Sequence, residues 1–444
     1  MSCCGRVMEC LGSDVSMVDR TTTLPWLNQA AEVKGGDDVI FAWFSRYLSA
    51  VKSGLDAVNG TVGTLLDDSG ELLVHEAVLA AILRQSATDT AAYAPLRGLP
   101  AFRELAIDLA VGHHRNELSH LHPRAFATPG GCGALYLSAA NLAAPGDAVL
   151  LRECHWGPYH TILRENDLHA ATWPLIGPAG ADGRFVDSES LSSSLSSLAH
   201  EQASVLMWLN DPAHNPTGLS LGPADRQILL DSVVAAALNH PDVGFSLLID
   251  AAYARYSSEP HGWAGTLGDQ VEWPANLLVA FAVSCSKSHT IYGMRLGALV
   301  TFHPESEVHE QLETIWLHTG RGTWSGTPRL PQSALIELHT SVLEEEWLAS
   351  VWKAKDLLDR RRTHFIDQCR EHGVSLLPSH DGYFAWYPCS DPESVAAEVA
   401  EESVFLVPLD KGVRIGLCAI PEASLSRVAL ALSRTIGKNE FTVP

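Results

Sequence analysis

The chain is poor in positive charge. Among its 444 residues, Asp and Glu number 52 while Lys and Arg number only 30, so the formal net charge is -22 at pH 7. No long basic run interrupts this acidic background. Because nucleic acids and anionic membranes are bound through clustered Lys and Arg, neither is expected as a partner. The composition instead favours small molecules, or a second copy of the chain.

The sequence also lacks the patterns of a metal site, a secreted protein and a membrane protein. Its nine cysteines are odd in number and show no metal-ligand spacing, although Cys3, Cys4 and Cys10 stand close together. The N-terminus has no apolar region of the kind found in signal peptides, and no uninterrupted apolar run is long enough to span a membrane. We therefore expect a cytoplasmic protein with reduced cysteines and no metal.

What the chain does contain is an alternation of apolar runs and helical stretches. Runs such as ASVLMWLND, FSLLIDAAY and NLLVAFAVS predict buried strands, and GPADRQILLDSVVAAALNH predicts a helix between two of them. This pattern predicts an α/β fold whose large domain, residues 75–335, has a mostly parallel central sheet flanked by helices. Residues 37–74 and 336–444 are predicted to form a smaller α+β domain, and residues 1–36 an N-terminal arm.

The smaller domain is predicted to contain several helices, among them a terminal helix over EASLSRVALALSRTIG. DDVIFAWFSRYLSAVKSG predicts an amphipathic helix with Phe41, Phe44 and Leu48 on one face. Farther along, apolar residues at helical spacing predict one long helix from about Ser333 to Cys369.

Polar residues follow two of the predicted strands. Asp250 and Tyr253 come after FSLLI, and Asn215 lies in PAHNPTG after ASVLMWLND. Because ligands bind such sheets at the carboxyl ends of the strands, these side chains are candidates for one site. Each also has a structural alternative, since Asp250 suits a helix cap or a buried structural acid and Asn-Pro-Thr-Gly suits a tight turn.

A glycine-rich helix start and a lysine after a strand add basic and anion-binding groups. Gly131 and Cys132 lie in TPGGCGALYLSAANL, which predicts either an anion site at a helix N-terminus or only a flexible turn. In SCSKSHTIYGMRLG, Ser284, Lys287 and Arg295 follow the run NLLVAFAV. Desolvation at such a place would lower the pKa of the lysine and make it a nucleophile, while the arginine fork suits a phosphate.

These groups complement the parts of one cofactor, pyridoxal 5'-phosphate. The lysine suits its aldehyde, the aspartate its protonated pyridine nitrogen, the asparagine and tyrosine its phenolate oxygen, and the glycine-rich helix start and arginine its phosphate.

The order of the segments GGCGAL, CHWG, NPTG, DAAY, SCSKSHTIYGMRLG and VRIGL resembles class I aminotransferases of fold type I, in the aspartate and aromatic amino acid branch. The resemblance runs from about Val58 to Pro421. It implies a homodimer with shared active sites, whose large domain binds pyridoxal phosphate. It also implies ping-pong transfer of an amino group between an aromatic or dicarboxylic L-amino acid and a 2-oxo acid such as 2-oxoglutarate.

The resemblance further implies a role for each matching residue. Lys287 would form the Schiff base and carry the Cα proton. Asp250 would pair with the pyridine nitrogen, and Tyr253 and Asn215 would bond the phenolic oxygen. The remaining cofactor contacts would come from Trp156, stacked on the ring, and from Ser284, Arg295, the Gly131–Cys132 backbone and Tyr93 of the neighbouring subunit, around the phosphate.

The substrate would be held by a second set of residues. Arg414 would bind its α-carboxylate, and Arg321, donated across the dimer interface, would bind a distal carboxylate. Gly63 would lie in the loop that closes on the substrate, where Asn215 and Trp156 would also contact it.

The chain departs from the family pattern at several positions. Cys132 replaces a Thr or Ser that bonds the phosphate, and Tyr159 replaces a His behind the aspartate, with His160 one residue away. Trp324, near Arg321, would favour aromatic substrates. Two other functions stay open on this fold: a pyridoxal phosphate-dependent lyase or decarboxylase, and a ligand-binding regulator, which the short N-terminal segment and the acidic composition disfavour.

Overall fold

The structure is a computed structural model, and it describes residues 26–27, 31, 34–35, 38–176 and 185–436. The predicted N-terminal arm lies mostly outside these ranges, and the three clustered N-terminal cysteines lie entirely outside them.

The described residues form helices and strands in the following order. The strands are β1 (Val58–Asn59), β2 (Arg124–Thr128), β3 (Ala148–Arg152), β4 (His169–Trp173), β5 (Ser204–Asn210), β6 (Gly244–Asp250), β7 (Leu277–Ser284), β8 (Gly297–Phe302), β9 (Phe384–Pro388), β10 (Val404–Phe405), β11 (Val407–Leu409) and β12 (Gly412–Gly416). The α-helices are α1 (Val39–Lys52), α2 (Glu76–Leu83), α3 (Ala87–Ala91), α4 (Pro100–Val111), α5 (Gly130–Leu142), α6 (Pro158–Glu165), α7 (Ser188–Glu201), α8 (Pro223–Asn239), α9 (Gly262–Gly268), α10 (Cys285–Ser288), α11 (Ser306–Thr323), α12 (Arg329–His339), α13 (Leu343–Glu371), α14 (Pro392–Glu401) and α15 (Leu425–Ser433).

A seven-stranded sheet forms the centre of the molecule, in the order β2-β8-β7-β6-β5-β3-β4. Strand β8 runs antiparallel to both of its neighbours, and the other adjacent pairs are parallel. The predicted α/β fold with a mostly parallel sheet is therefore confirmed. The apolar runs are continuous because both faces of the sheet are covered. In β5, for example, Met207 packs into the core on one face and Trp208 packs into the core on the other.

Smaller sheets join the two ends of the described chain. Strands β9, β11 and β12 form an antiparallel sheet, and β1 pairs in parallel with β10, so that Val58 lies opposite Val404. A separate core fills the space between these strands and helices α13 and α15; it includes Phe365, Ile415 and Val428. Residues that are distant in sequence thus share one hydrophobic cluster.

Two of the helix predictions need correction. The long helix predicted from about residue 333 is two helices, since Thr340 (φ -115°, ψ 9°) leaves the helical range and ends α12 before α13 begins. Helix α1 exists as predicted, but its buried face carries Trp43 and Ala50, whereas Phe41 and Leu48 are 68% and 49% exposed. The large Trp43 ring, rather than Phe41 or Leu48, packs in the hydrophobic cluster beneath this helix.

Within the described residues, no helix is both long enough and apolar enough to cross a bilayer.

Candidate active site

The carboxyl ends of β5, β6 and β7 open into one cavity of about 380 Å³. Asn210, Asp250 and Ser284 are the last residues of these three adjacent strands, and all three line the cavity. The structure brings together here most of the residues singled out from the sequence: Gly63, Gly131, Cys132, Trp156, Asn215, Asp250, Tyr253, Ser284, Lys287, Arg295 and Arg414.

Lys287 lies in the one-turn helix α10, directly after β7, and points its amine into the cavity. Its Nζ donates a hydrogen bond to the Gly63 carbonyl at 2.6 Å. The pKa of Lys287 is lowered from the ordinary 10.5 to about 8, chiefly by burial and to a smaller extent by the guanidinium groups of Arg414 and Arg295. The amine therefore loses its proton close to physiological pH, which is what a nucleophile or a general base requires.

Asp250 ends β6 with its carboxylate buried. The Ala252 amide donates to its Oδ1 at 3.2 Å, and the Tyr159 hydroxyl donates to its Oδ2 at 2.7 Å. Burial raises the pKa of Asp250, and these two hydrogen bonds oppose that rise. A protonated ring nitrogen facing such a carboxylate would supply the cation that a buried acid needs.

Tyr159, and not the neighbouring His160, contacts Asp250 at the position where the family has a histidine. Tyr159 itself bonds the aspartate, whereas the Nε2 of His160 contacts the Nε2 of His155 at 2.8 Å. Burial lowers the pKa of His155 to about 4, so this histidine is neutral near pH 7. His160 therefore does not take the place of the family's histidine beside Asp250.

Asn215, Tyr253 and Arg414 form a connected polar group on another wall of the cavity. The Asn215 amide donates to the Tyr253 hydroxyl at 3.4 Å, and Arg414 donates to the Asn215 side-chain oxygen at 3.3 Å and to the Thr61 carbonyl at 2.5 Å. Arg414 is only 2% exposed, and its buried Nε has no hydrogen-bond partner among the described residues. An unpaired donor on a buried guanidinium is costly, and an anionic ligand would satisfy it.

A third wall has the character of an anion cradle. Helix α5 starts at Gly130 without a side-chain cap, so its first N–H groups are left for another acceptor. A Cβ at Gly130, where φ is +75°, would lie 2.5 Å from Nη2 of Arg295, so only glycine leaves the guanidinium its place. Ser284 borders the same glycine-rich turn, with its Cβ 3.3 Å from where a Cβ on Gly131 would stand. Amide, hydroxyl and guanidinium donors are the set that a phosphate monoester requires.

Two residues singled out from the sequence lie away from this cavity. Tyr93 is 97% exposed, and Arg321 is an exposed residue of α11 that donates to the Ser325 hydroxyl at 2.8 Å. Neither lines the cavity of its own chain.

Several lining residues were missed by the sequence reasoning. Phe41 and Ile40 reach the cavity from α1, and Phe384 and Tyr292 complete its walls. Tyr292 was detectable, since it lies between Lys287 and Arg295 in the quoted lysine segment, and its hydroxyl lies 3.1 Å from that of Tyr383. No local pattern places α1 at the cavity, because this contact is made across the fold.

Comparison with known proteins gives a consistent result. The family model described as aminotransferase class I and II matches residues 56–432. An aromatic-amino-acid aminotransferase of Pseudomonas aeruginosa is 28% identical over 354 residues, covering 78% of this chain and 83% of that protein. A mitochondrial aspartate aminotransferase of Dictyostelium discoideum is 25% identical over 434 residues, covering 94% of this chain and 95% of that protein.

A solved structure agrees with these relatives. The crystal structure of an aminotransferase from Anaerococcus prevotii superposes with a TM-score of 0.87 at 25% identity, covering 93% of this chain and all of that one. The fold-type I architecture expected from the sequence is thereby confirmed, as is the expectation of a transaminase that uses pyridoxal phosphate. The chain belongs to the class I and II aminotransferase family.

Proposed function

We propose that the protein transfers an amino group between an aromatic or dicarboxylic L-amino acid and a 2-oxo acid such as 2-oxoglutarate, by a ping-pong mechanism. The observation that carries this proposal is the convergence of Lys287, Asp250 and Arg414 on one cavity, although they come from α10, β6 and β12. An amine of lowered pKa, a buried carboxylate and a guanidinium with an unpaired donor are together suited to an amino acid bound beside a pyridine ring.

The side chains around the cavity fit pyridoxal phosphate. Lys287 would hold its aldehyde carbon, Asp250 its ring nitrogen, and Tyr253 with Asn215 its phenolic oxygen. The phosphate would lie among Ser284, Arg295 and the Gly131–Cys132 backbone, with the cavity-lining Trp156 against the ring. When bound, the cofactor supplies an electron sink for the bond that breaks at the substrate Cα.

Lys287 would carry out the proton transfer at the substrate Cα. As a free amine, its Nζ would accept the Cα proton of the substrate and would return that proton when the reaction runs in the opposite direction. A single positioned amine of this kind typically contributes about 10²–10⁴-fold to the rate. Its pKa of about 8 lets it act in both directions near neutral pH.

Arg414 would bind the substrate α-carboxylate by a bidentate pair. The guanidinium is held from behind by Asn215 and Thr61, and it lies 4.6 Å from the centre of the Phe384 ring. These contacts fix its plane before the substrate arrives, which reduces the entropy lost on binding.

The remote end of the substrate would meet two kinds of surface. Phe41, Ile40 and Phe384 offer apolar contact for an aromatic side chain. Arg321 would supply a cation for a distal carboxylate, and Tyr93 a hydroxyl for the phosphate, each from the second subunit of a homodimer. Both side chains are exposed, as a contact with a second subunit requires.

The organisation of the chain follows from the same proposal. Residues 75–335 would form the cofactor-binding domain, residues 37–74 and 336–444 the small domain, and residues 1–36 an arm. The dimer would work in the cytoplasm; the described cysteines, Cys132, Cys154, Cys285, Cys369, Cys389 and Cys418, are all free thiols.

Substitution of Lys287 tests the mechanism. Lys287→Ala should remove the visible absorption of the bound cofactor and lower turnover by at least about 10²-fold. Lys355→Ala, at a helix-surface lysine paired with Asp359, is the matched control and should behave as wild type. Full transaminase activity in Lys287→Ala would refute the mechanism.

A donor panel tests the substrate class. Purified protein is incubated with each amino acid and 2-oxoglutarate, and glutamate formation is followed. Because 2-oxoglutarate itself carries a distal carboxylate, Arg321→Ala is tested in the donor half-reaction alone, without 2-oxoglutarate, by the change in absorption of the bound cofactor. The variant should lose this half-reaction with aspartate while retaining it with aromatic donors, and Arg370→Ala, at another exposed arginine, should lose neither. If Arg321→Ala spared aspartate but not the aromatic donors, its carboxylate role would be wrong.

A further inference from the structure

The Tyr159 side chain contacts Asp250 across a long stretch of the sequence. Tyr159 is the second residue of α6, and its side chain is 1% exposed. Its hydroxyl donates to Oδ2 of Asp250 at 2.7 Å, across 91 positions of the sequence. A buried carboxylate that accepts a hydrogen bond keeps its negative charge more easily.

The chemistry of this donor differs from that of an imidazole. Burial raises the pKa of the Tyr159 hydroxyl well above its ordinary value, and the negative charge of Asp250 raises it further. The phenol therefore stays neutral and protonated throughout the physiological range. It donates to Asp250 without adding a positive charge, so the charge of the carboxylate remains available to a cation on its open side.

Aromatic rings hold Tyr159 in this position from three sides. Trp156 meets it edge-on with 5.6 Å between ring centres, Trp208 packs at 5.1 Å, and the ring of His155 lies nearly parallel at 6.2 Å. Trp208 is itself fixed by a 3.0 Å hydrogen bond from its Nε1 to the Ser138 hydroxyl. Edge-to-face contacts of this kind are worth about 0.5–1.5 kcal/mol each beyond area burial, so the hydroxyl has little freedom to leave Asp250.

The other ionisable groups around the pair do not compete for this role. Those facing it from neighbouring elements are Cys132, Tyr253 and His155. Burial raises the pKa of both Cys132 and Tyr253, and it lowers that of His155 to about 4. All three are therefore uncharged near pH 7, which leaves the Tyr159 hydroxyl as the side-chain donor to Asp250 among the described residues.

We propose that Tyr159 is a positioning residue for the cofactor ring: its hydroxyl holds the Asp250 carboxylate ionised and oriented toward the ring nitrogen. This inference rests on the proposed pairing of Asp250 with that nitrogen. It assigns to a neutral phenol the place that a histidine has in the related aspartate branch.

Cofactor binding distinguishes this role from a merely structural one. Cofactor-free wild type, Tyr159→Phe and Tyr159→His are titrated with pyridoxal phosphate, and then with the analogue in which carbon replaces the ring nitrogen. Tyr159→Phe should bind pyridoxal phosphate at least about tenfold more weakly, because a hydrogen bond to a charged group is lost. Its affinity for the analogue should stay within about threefold of wild type, since the analogue has no ring nitrogen for Asp250 to bind.

Two variants complete the design. Tyr387→Phe removes the hydroxyl of another buried tyrosine, which lies in β9 and contacts Thr435, and should leave both affinities unchanged. Tyr159→His keeps a ring donor and should bind pyridoxal phosphate more tightly than Tyr159→Phe does.

Other binding results would contradict the proposed role of Tyr159 or the pairing of Asp250 with the ring nitrogen. Equal losses for both ligands in Tyr159→Phe would mean a general packing role, and an unchanged affinity for pyridoxal phosphate would mean no role. If Tyr159→Phe fails to fold, the test is made with Tyr159→His. An equal loss of affinity for pyridoxal phosphate and for the analogue in Tyr159→His would then overturn the inference. If wild type itself binds both ligands equally, the pairing of Asp250 with the ring nitrogen fails first, and the proposed function is what needs revision.

Discussion

At Lys287, opposing forces set the charge of a single amine. The rings of Tyr292, Tyr253 and Tyr383 lie with their centres 4.8, 5.5 and 5.6 Å from its Nζ, and such contacts favour the charged form. Desolvation acts the other way and prevails, since the pKa falls from 10.5 to about 8. That fall corresponds to about 3 kcal/mol of preference for the neutral amine.

This balance predicts a pH-dependent stability in the cofactor-free protein. The unfolded chain keeps Lys287 protonated up to about pH 10.5, whereas the folded chain does so only up to about pH 8. Between these values the unfolded state binds more protons, so stability must rise with pH. Relative to Lys287→Met, wild type should gain roughly 2–3 kcal/mol of unfolding free energy between about pH 7.5 and about pH 10, measured by urea denaturation.

The comparison with a second lysine controls for general alkaline effects. Lys355→Met, at a partly exposed lysine, is the control, and the gain of wild type relative to Lys287→Met should exceed its gain relative to Lys355→Met. A pH-independent difference between wild type and Lys287→Met would mean that the folded protein does not depress the amine's pKa.

Helix α1 packs in a small hydrophobic cluster with one face and lines the cavity with another. The side chain of Asp38 caps it by accepting from the Ile40 amide at 2.8 Å, and Trp43 packs with Ala396 and Phe405 in a small core. Because that core fixes the buried face, Phe41 on the free face is carried to the cavity mouth, where it lines the wall while remaining 68% exposed.

Truncation of Phe41 should therefore affect substrate choice more than folding. Phe41→Ala is expected to lower kcat/KM for aromatic donors about tenfold, since one large apolar contact is lost. The value for aspartate should change little. Stability should stay within about 0.5 kcal/mol of wild type, because the ring is mostly exposed in the folded chain.

Leu48→Ala is the matched control on the same helix. Leu48 is also exposed, at 49%, but it does not line the cavity, so this variant should match wild type with both donor classes. Equal losses for aspartate and aromatic donors in Phe41→Ala would refute a contact with the substrate side chain and point to a shift of the whole helix.

At the scale of the whole molecule, the question is whether one chain makes a complete site. Arg321 and Tyr93 lie on the surface, away from the cavity that contains Lys287. Among the described residues, the Arg321 side chain bonds a nearby serine, which leaves its charge free for another partner. We propose a two-fold dimer in which Arg321 and Tyr93 reach the cavity of the other subunit.

Hybrid dimers test this arrangement. Lys287→Ala and Arg321→Ala chains, each inactive with aspartate alone, are mixed and reassembled. If Arg321 acts across the interface, each hybrid contains one intact site, and the mixture should recover about a quarter of wild-type aspartate activity. If Arg321 acts within its own chain, no hybrid has an intact site and activity stays at the level of the separate variants.

Much of the site was readable from local sequence for a definite reason. Apolar runs such as NLLVAFAVS are typical of strands buried on both faces, and the polar residues that follow parallel strands gather at one edge of the sheet. Asp250, Ser284 and Lys287 were accessible to this reasoning. The break between α12 and α13 was not, because the apolar spacing continues through Thr340 and Val342 while the packing turns the chain there.

The sequence by itself determined which segments are buried strands, which polar groups end them, and the chemical type of each candidate side chain. Only the tertiary structure decided the strand order that makes Asp250 and Ser284 near neighbours, the placement of Phe41 at the cavity, and the hydrogen bond from Tyr159 to Asp250. The physical reason is the difference in sequence separation between local patterns and tertiary contacts. Periodicity and turn chemistry act over a few residues, whereas these contacts join residues tens to hundreds of positions apart and exist only once the hydrophobic cores have closed.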